Sequence, residues 1–327
     1  MEIRQLRYFV AVVESGSLSR AASILHVVQS ALSQQMMQLE EDLGAALLLR
    51  SARGVQVTEA GAVLFRHATA ILKQLDNARG AVLGSTGAVH GAVSFGIPHS
   101  SAVLLAAPLL ARVRRDYPAV RLSVIEAPSG QLVEMLASGR LDFSLLYHTK
   151  ILHGLEIATL LAEPLCLLTP AHLQSGGARE SAATVPLESL AGMPLIVPGM
   201  PNATRVLLEL ASKACGFDLR VVAEVAALDT IHACVAAGLA STVLTAANVA
   251  RVTGAVEPGH LESVITPRIE RDTVIARSRD FPTTQAADLV RALAREIAVE
   301  LVAGGKWPGA RLLTGGSFPA GAEPVSS

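Results

Sequence analysis

Cysteine, aromatic side chains and charge are all scarce in this chain. Its 327 residues hold three cysteines, 3% Phe, Trp and Tyr, and 17% Asp, Glu, Lys and Arg. Cys166, Cys215 and Cys234 are far apart and odd in number. That excludes a disulfide framework and a CxxC metal motif, and it fits a reducing cytoplasm. Few aromatics argue against an all-β sandwich, whereas an apolar half (51%) made mostly of Ala, Leu and Val suits helices and buried parallel strands. The same apolar share excludes disorder over most of the chain. A formal net charge of -1 provides no global field for nucleic acid, so any such site has to be local.

One run without charge, residues 230–250, could mislead as a membrane span. Thr230, His232, Gly238, Ser241, Thr242, Thr245 and Asn248 interrupt that run. A helix over 229–237, a stop at Gly238 and a strand over 242–244 are expected there rather than a membrane span. The N-terminal residues meet charge too early for a secretory core, so export is not expected and a cytoplasmic location is. Enzyme motifs are equally absent. There is no GxSxG, no GxGxxG and no GxxxxGK phosphate loop, and His99, His148, His153 and His232 are scattered without ligand spacing. No catalytic residue, metal or cofactor is expected.

What remains is organisation. A chain of this length suggests two or three domains. Ile3, Leu6, Phe9, Val10 and Val13 recur at three and four, predicting a helix over 4–14. Ser15-Gly16-Ser17 ends it, and Ser17 can cap a second helix in which Ala21, Ala22 and Leu25 allow close packing. A third helix is expected over 28–42, closed by Gly44, with Leu32, Met36, Leu39 and Leu43 facing inward. Its other face carries Gln29, Ser30, Ser33, Gln34 and Met37, and neither Asp nor Glu occurs from Ser15 through Gln38. An ordinary solvated face would pair Lys with Glu. Amides and hydroxyls instead can pair with base edges, which makes double-stranded DNA the expected partner. An uncharged surface helix in a bundle is the alternative, and the next segment speaks against it. Residues 47–49, a basic turn over 50–54 and residues 55–57 read as strand, turn and strand, with Arg50 and Arg53 placed for backbone phosphate. Together these make a winged helix-turn-helix over residues 1–60.

One long helix follows over 58–84. Leu64, Ala68, Ile71, Leu75, Ala78 and Val82 form a heptad seam on a rod of about 40 Å. So small a winged helix is not expected to cover it, which points to a helix from a second copy of the chain, with intramolecular packing the alternative; pairing would set two recognition helices side by side. Residues 85–91 read as a small-residue hinge. Strands at 92–97, 121–126 and 141–147 then alternate with helices at 102–116 and 131–138, implying a parallel, doubly wound sheet. The pattern restarts with strands at 165–168, 195–197 and 219–224 and a helix at 203–215, then a last strand at 271–277 and a helix at 284–302. Two α/β lobes invite a ligand between them. Ser100, Ser101, Ser129 and Gly130 of the first lobe, and Asn202 and Thr204 of the second, stand where strand gives way to helix. There N–H groups and hydroxyls favour an anionic effector, simple helix capping being the alternative. From Gly304 the composition turns to Gly, Pro, Ala and Ser, and 304–327 is expected to be a disordered tail.

Tyr8-Phe9-Val10, Gly16-Ser17-Leu18 with Ala21-Ala22, Gln29 through Gln35, Leu39-Glu40, and Arg53-Gly54-Val55 with Thr58-Glu59-Ala60-Gly61 resemble the LysR-type transcriptional regulators. His26, Arg53-Gly54-Val55 and residues 130–147 are most similar to the nitrogen assimilation control subgroup. The resemblance implies that Gln29, Ser30, Ser33 and Gln34 face the major groove and that the wing arginine sits on phosphate. It also implies a periplasmic-binding-protein-like effector domain over 92–303, with lobe I at 92–161 and 267–303 and lobe II at 162–266. Homotetramers built from two kinds of dimer, activation as well as repression, and contact with RNA polymerase are further implications. A free solute-binding protein would share the lobes but not the winged helix.

Overall fold

The computed structural model describes residues 1–51, 54–84, 89–147, 154–170, 184–253 and 260–313. The first three helices, α1 (Ile3–Ser15), α2 (Leu18–Leu25) and α3 (Gln29–Leu43), close over one core of Phe9, Val12, Ala22, Leu32, Met36 and Leu39. Gly16 and Gly44, both at φ 63, end α1 and α3 in the left-handed conformation that glycine tolerates. The hydroxyl of Ser17 caps α2 by accepting from the Arg20 amide. Leu43 departs from the expected inward seam and is 42% exposed. It is the last residue of α3, beyond the edge of the core, where Gly44 turns the chain away.

The wing is a two-stranded antiparallel ribbon, β1 (Leu48–Ser51) and β2 (Gly54–Val57), with Arg50 opposite Val55. Arg53 lies outside the described residues. Gly54 has φ 118, and a Cβ there would stand 2.8 Å from the Gly16 carbonyl oxygen. That same oxygen accepts the Val55 amide at 3.0 Å, which ties the ribbon to the α1–α2 turn.

Thr58 starts α4 (Glu59–Gly84) by accepting the Gly61 amide at 2.9 Å. Contrary to expectation, the winged helix does cover the first part of the heptad seam. Ala68 is fully buried and Leu64 half-buried, because α1 lies along the beginning of α4. Farther along, Ile71 and Ala78 are exposed and Leu75 is half-buried. The side chain of Val82 lies outside the description.

After the hinge, of which residues 85–88 lie outside the described residues, lobe I begins with β3 (Gly91–Ile97), α5 (His99–Asp116), β4 (Val120–Glu126), α6 (Ser129–Ala137) and β5 (Phe143–Tyr147). The chain continues in β6 (Leu155–Pro170), β7 (Thr184–Pro186), a 3-10 turn at Leu187–Leu190 and β8 (Leu195–Val197). Then come α7 (Ala203–Ala214), β9 (Val221–Glu224), α8 (Leu228–Ala236), β10 (Thr242–Thr245), α9 (Ala246–Thr253) and β11 (His260–Thr266). The chain returns through β12 (Glu270–Ser278) and α10 (Gln285–Ala303) and ends in β13 (Arg311–Leu312).

The main sheet runs β4-β3-β5-β12-β6-β11-β7. Strands β4, β3 and β5 are parallel, but β12 is antiparallel to both β5 and β6, so the sheet is mixed rather than wholly parallel. The reason lies in the connection. β12 arrives from the second lobe through a few residues after β11, with no helical crossover to restore its direction. β6 is a single 16-residue strand, of which only the second part is expected from the sequence. It pairs with β12 up to Pro164, then with β10 and β11 from Leu165, and so belongs to both lobes.

Lobe I is filled by Phe95 and Phe143, stacked at 4.7 Å between ring centroids, with Leu105, Leu109, Val290 and Ile297. Residues 304–313, expected to be part of a disordered tail, are packed instead. Trp307 is 1% exposed, and β13 pairs with β6 opposite Leu161 and Ala162. An indole buried in the lobe I core outweighs the disorder its Gly- and Pro-rich neighbours suggest. Residues 314–327 lie outside the described residues. Residues 230–250 divide among α8, β10 and α9, and among the described residues no helix is long and apolar enough to cross a membrane.

Candidate nucleic-acid interface and effector cleft

The recognition face is built by α3. Leu32, Met36 and Leu39 anchor it to the core, which turns Gln29, Ser30, Gln34 and Met37 outward, all of them exposed. Ser33 is half-buried because Arg50 Nη1 donates to its Oγ at 2.9 Å. The Ser19 hydroxyl donates to Gln29 Oε1 at 3.0 Å and braces that amide from α2. Arg50 also lies 3.4 Å from Glu40 Oε2, so in the free chain it bridges wing and recognition helix rather than projecting alone toward phosphate. The other oxygen of Glu40 accepts the Leu47 and Leu48 amides at 2.8 and 3.0 Å. One carboxylate thus positions the wing on α3.

Between the lobes, the predicted residues gather unevenly. Ser100 and Ser101 lie in the first turn of α5, not in a loop, and both hydroxyls bond the Tyr147 phenol, Ser101 at 2.9 Å. Ser129 Oγ accepts the Tyr147 amide at 3.2 Å, whereas Gly130 is exposed. From the second lobe, Thr204 Oγ1 accepts from Arg271 Nη1 at 3.2 Å. Asn202 performs the simpler task of capping α7, its Oδ1 accepting the Thr204 amide at 2.9 Å.

Arg271 joins the two sides. Its guanidinium carbon lies 3.6 Å from the centroid of the Tyr147 ring, and Nη2 donates to Glu163 Oε2 at 2.7 Å. The other Glu163 oxygen accepts the Trp307 indole N–H at 3.0 Å. Burial pushes the Tyr147 phenol up, so at neutral pH it is uncharged and the contact with Arg271 is cation–π. Burial alone would lower Arg271, but Tyr147 and Glu163 outweigh it and hold the guanidinium charged.

The matches to known proteins follow this architecture. A family profile described as the bacterial regulatory helix-turn-helix protein, lysR family, matches residues 3–62, and one described as the LysR substrate binding domain matches residues 86–298. The chain belongs to the LysR family of transcriptional regulators. It is 33% identical over 307 residues to the nitrogen assimilation regulatory protein nac of Klebsiella aerogenes, spanning 92% of this chain and 95% of that one. It is 31% identical over 318 residues to the HTH-type transcriptional regulator BbuR of Bordetella bronchiseptica, spanning 95% and 94%. The solved structure of full-length CbnR complexed with its target DNA matches with a TM-score of 0.66 at 24% identity, over 91% of this chain and all of that one, a likeness of fold.

As a LysR-type regulator, the protein is a DNA-binding transcription factor with an effector-binding domain, not an enzyme. Sequence reasoning misses four residues of this buried cluster, namely Tyr147, Glu163, Arg271 and Trp307. Glu163 does leave a signal, a charge set in the midst of an apolar strand, whereas Arg271, between Glu270 and Asp272 at the start of β12, leaves none. Glu40 leaves none, because an acid near the end of a surface helix is ordinary.

Proposed function

We propose that this LysR-type regulator binds dyad-symmetric promoter DNA as a dimer of dimers. In this reading Gln29, Ser30, Ser33, Gln34 and Met37 approach base edges, while Arg50 and Arg53 meet phosphate. On DNA, phosphate replaces Ser33 and Glu40 as the partner of Arg50. The observation that carries the reading is the outward row of amides and hydroxyls on α3, with no acidic side chain among them to repel phosphate. Ile71, Leu75 and Ala78, only partly covered within one chain, support pairing of α4 rods through the rest of the seam, to which Leu64, Ala68 and Val82 belong. Exposed Val103 and Leu110 on α5, and Leu210 on α7, support a second contact between copies.

The effector domain responds to a small anion or a partner protein. Arg271 supports the anionic chemistry. Its Nε is a buried donor without a hydrogen-bond partner, and the ring it stands over belongs to Tyr147, whose phenol bonds the Ser100 and Ser101 hydroxyls. Such a regulator acts in the cytoplasm and meets RNA polymerase at the promoter. Selection of duplexes from a random pool, followed by footprinting, tests the reading. An enriched inverted repeat with half-sites about one helical turn, or a multiple of it, apart supports it. Failure to enrich any motif contradicts it.

A further inference from the structure

Lys73 stands near the middle of α4, on a rod whose next outward residue, Ile71, is 43% exposed. Its own side chain is only 16% exposed, because it reaches across to lobe I. There Nζ lies 2.7 Å from Ser94 Oγ and 3.2 Å from Asp142 Oδ1. The receiving site is assembled by lobe I itself. Asp142 Oδ2 accepts the Ser94 amide at 2.8 Å and lies 2.9 Å from the Ser94 hydroxyl, and the aspartate side chain is 4% exposed. Burial lowers the lysine and Asp142 opposes the shift, as expected for a desolvated pair. The arm contributes one cation, and lobe I presents a preformed acceptor to it.

We infer that Lys73 is a positioning residue whose ion pair with Asp142 sets the angle of the DNA-binding arm on lobe I, and through it the half-site spacing the regulator accepts. A buried pair adds little net stability but strongly penalises any arrangement that separates its members, so it specifies geometry. Lys73 lies 14 residues beyond Glu59, or about 21 Å along the helix axis at about 1.5 Å per residue. A tilt of about 10° about this point carries the start of α4 through about 4 Å, close to the roughly 3.4 Å rise of one base pair. Loss of the pair therefore blurs spacing by a base pair or more. The inference rests on the DNA-binding reading above.

The test uses the full chain and duplexes built from a site selected by the wild type, with the half-sites moved apart or together by two base pairs, beside a duplex carrying one half-site. For the wild type a two-base-pair change is expected to weaken binding at least tenfold. Lys73→Met and Asp142→Asn should reduce that penalty below threefold and leave one-half-site affinity within twofold. Lys73→Arg should keep the penalty, and the double variant should add nothing to either single one. A spacing penalty unchanged in Lys73→Met, or additive effects in the double variant, overturns the inference. A wild type that ignores the half-site overturns the DNA-binding reading instead. The contact itself is tested on the wild type by acetylation with N-hydroxysuccinimidyl acetate. Lys73 should label at least tenfold more slowly than exposed Lys213, and equal rates overturn the inference even if every variant fails to fold.

Discussion

The guanidinium of Arg271 lies over the ring of Tyr147, 3.6 Å from its centroid, in a cluster made of the chain's own groups. Tyr147 ends β5 in lobe I, and Arg271 belongs to the returning strand β12. Thr204 reaches in from lobe II, and Glu163 and Trp307 complete the cluster. The relative placement of the lobes is thus tied to one buried cation.

Removing that cation alone is expected to be costly. Arg271→Met leaves Glu163 charged and buried with only the Trp307 N–H, which should destabilise the chain by about 3–5 kcal/mol. Arg271→Met combined with Glu163→Gln should cost clearly less than the sum of the two single changes. Urea denaturation of the four proteins measures the coupling, and strict additivity contradicts the pairing.

Trp307 is the sole tryptophan and is buried, so its fluorescence reports the C-terminal strap directly. Trp307→Ala should cost about 3–5 kcal/mol, as for other buried large-to-small changes. The strap is also held by Arg311, whose Nε donates to Glu270 Oε1 at 3.1 Å. That hydrogen bond holds the Glu270 carboxyl below the usual carboxylate range. A depressed carboxyl stabilises fully above its unfolded value and loses that contribution as pH falls through the folded one. Trp307 emission should therefore shift to the red on acidification below the usual carboxylate range, and less steeply in Glu270→Gln.

Glu40 holds the wing through two backbone amides, so Glu40→Ala should free Leu47 and Leu48 and cost about 1–3 kcal/mol. In the proposed reading the wing meets backbone and not bases, so binding to all duplexes should weaken alike. Anisotropy with a selected and a scrambled duplex checks this. A loss confined to the selected duplex contradicts it.

The parts of this fold that repeat locally are legible in the sequence. The inward side of α1 at Leu6 and Phe9 (though not Ile3, which is exposed), the Ser17 cap, Gly44 and the wing's strand-turn-strand order each depend on neighbours within a few residues. β6 is only half legible, since its apolar run offers no alternation and Pro164 looks like a break although the strand continues through it. The packed strap is hidden because Gly304, Gly305, Pro308 and Gly309 suggest a frayed end, while the residue that decides, Trp307, depends on a distant partner in Glu163. Strand-to-helix order brings Ser100 and Ser101 to the cleft, but their engagement with Tyr147 needs β5 beside α5, a contact that sequence spacing does not reveal. Charge alone points Arg50 at phosphate, and its bridge to Ser33 and Glu40 forms only with the wing folded against α3.

The most direct test of the account is anisotropy of wild type, Ser33→Ala and Gln34→Ala on a selected and a scrambled duplex across a salt series. The wild type should prefer the selected duplex and weaken on both as salt rises, because phosphate contacts release counterions. Each variant should lose about 1–3 kcal/mol on the selected duplex and almost nothing on the scrambled one. Equal wild-type affinity for the two duplexes, or an equal loss on both in the variants, would contradict base reading by α3.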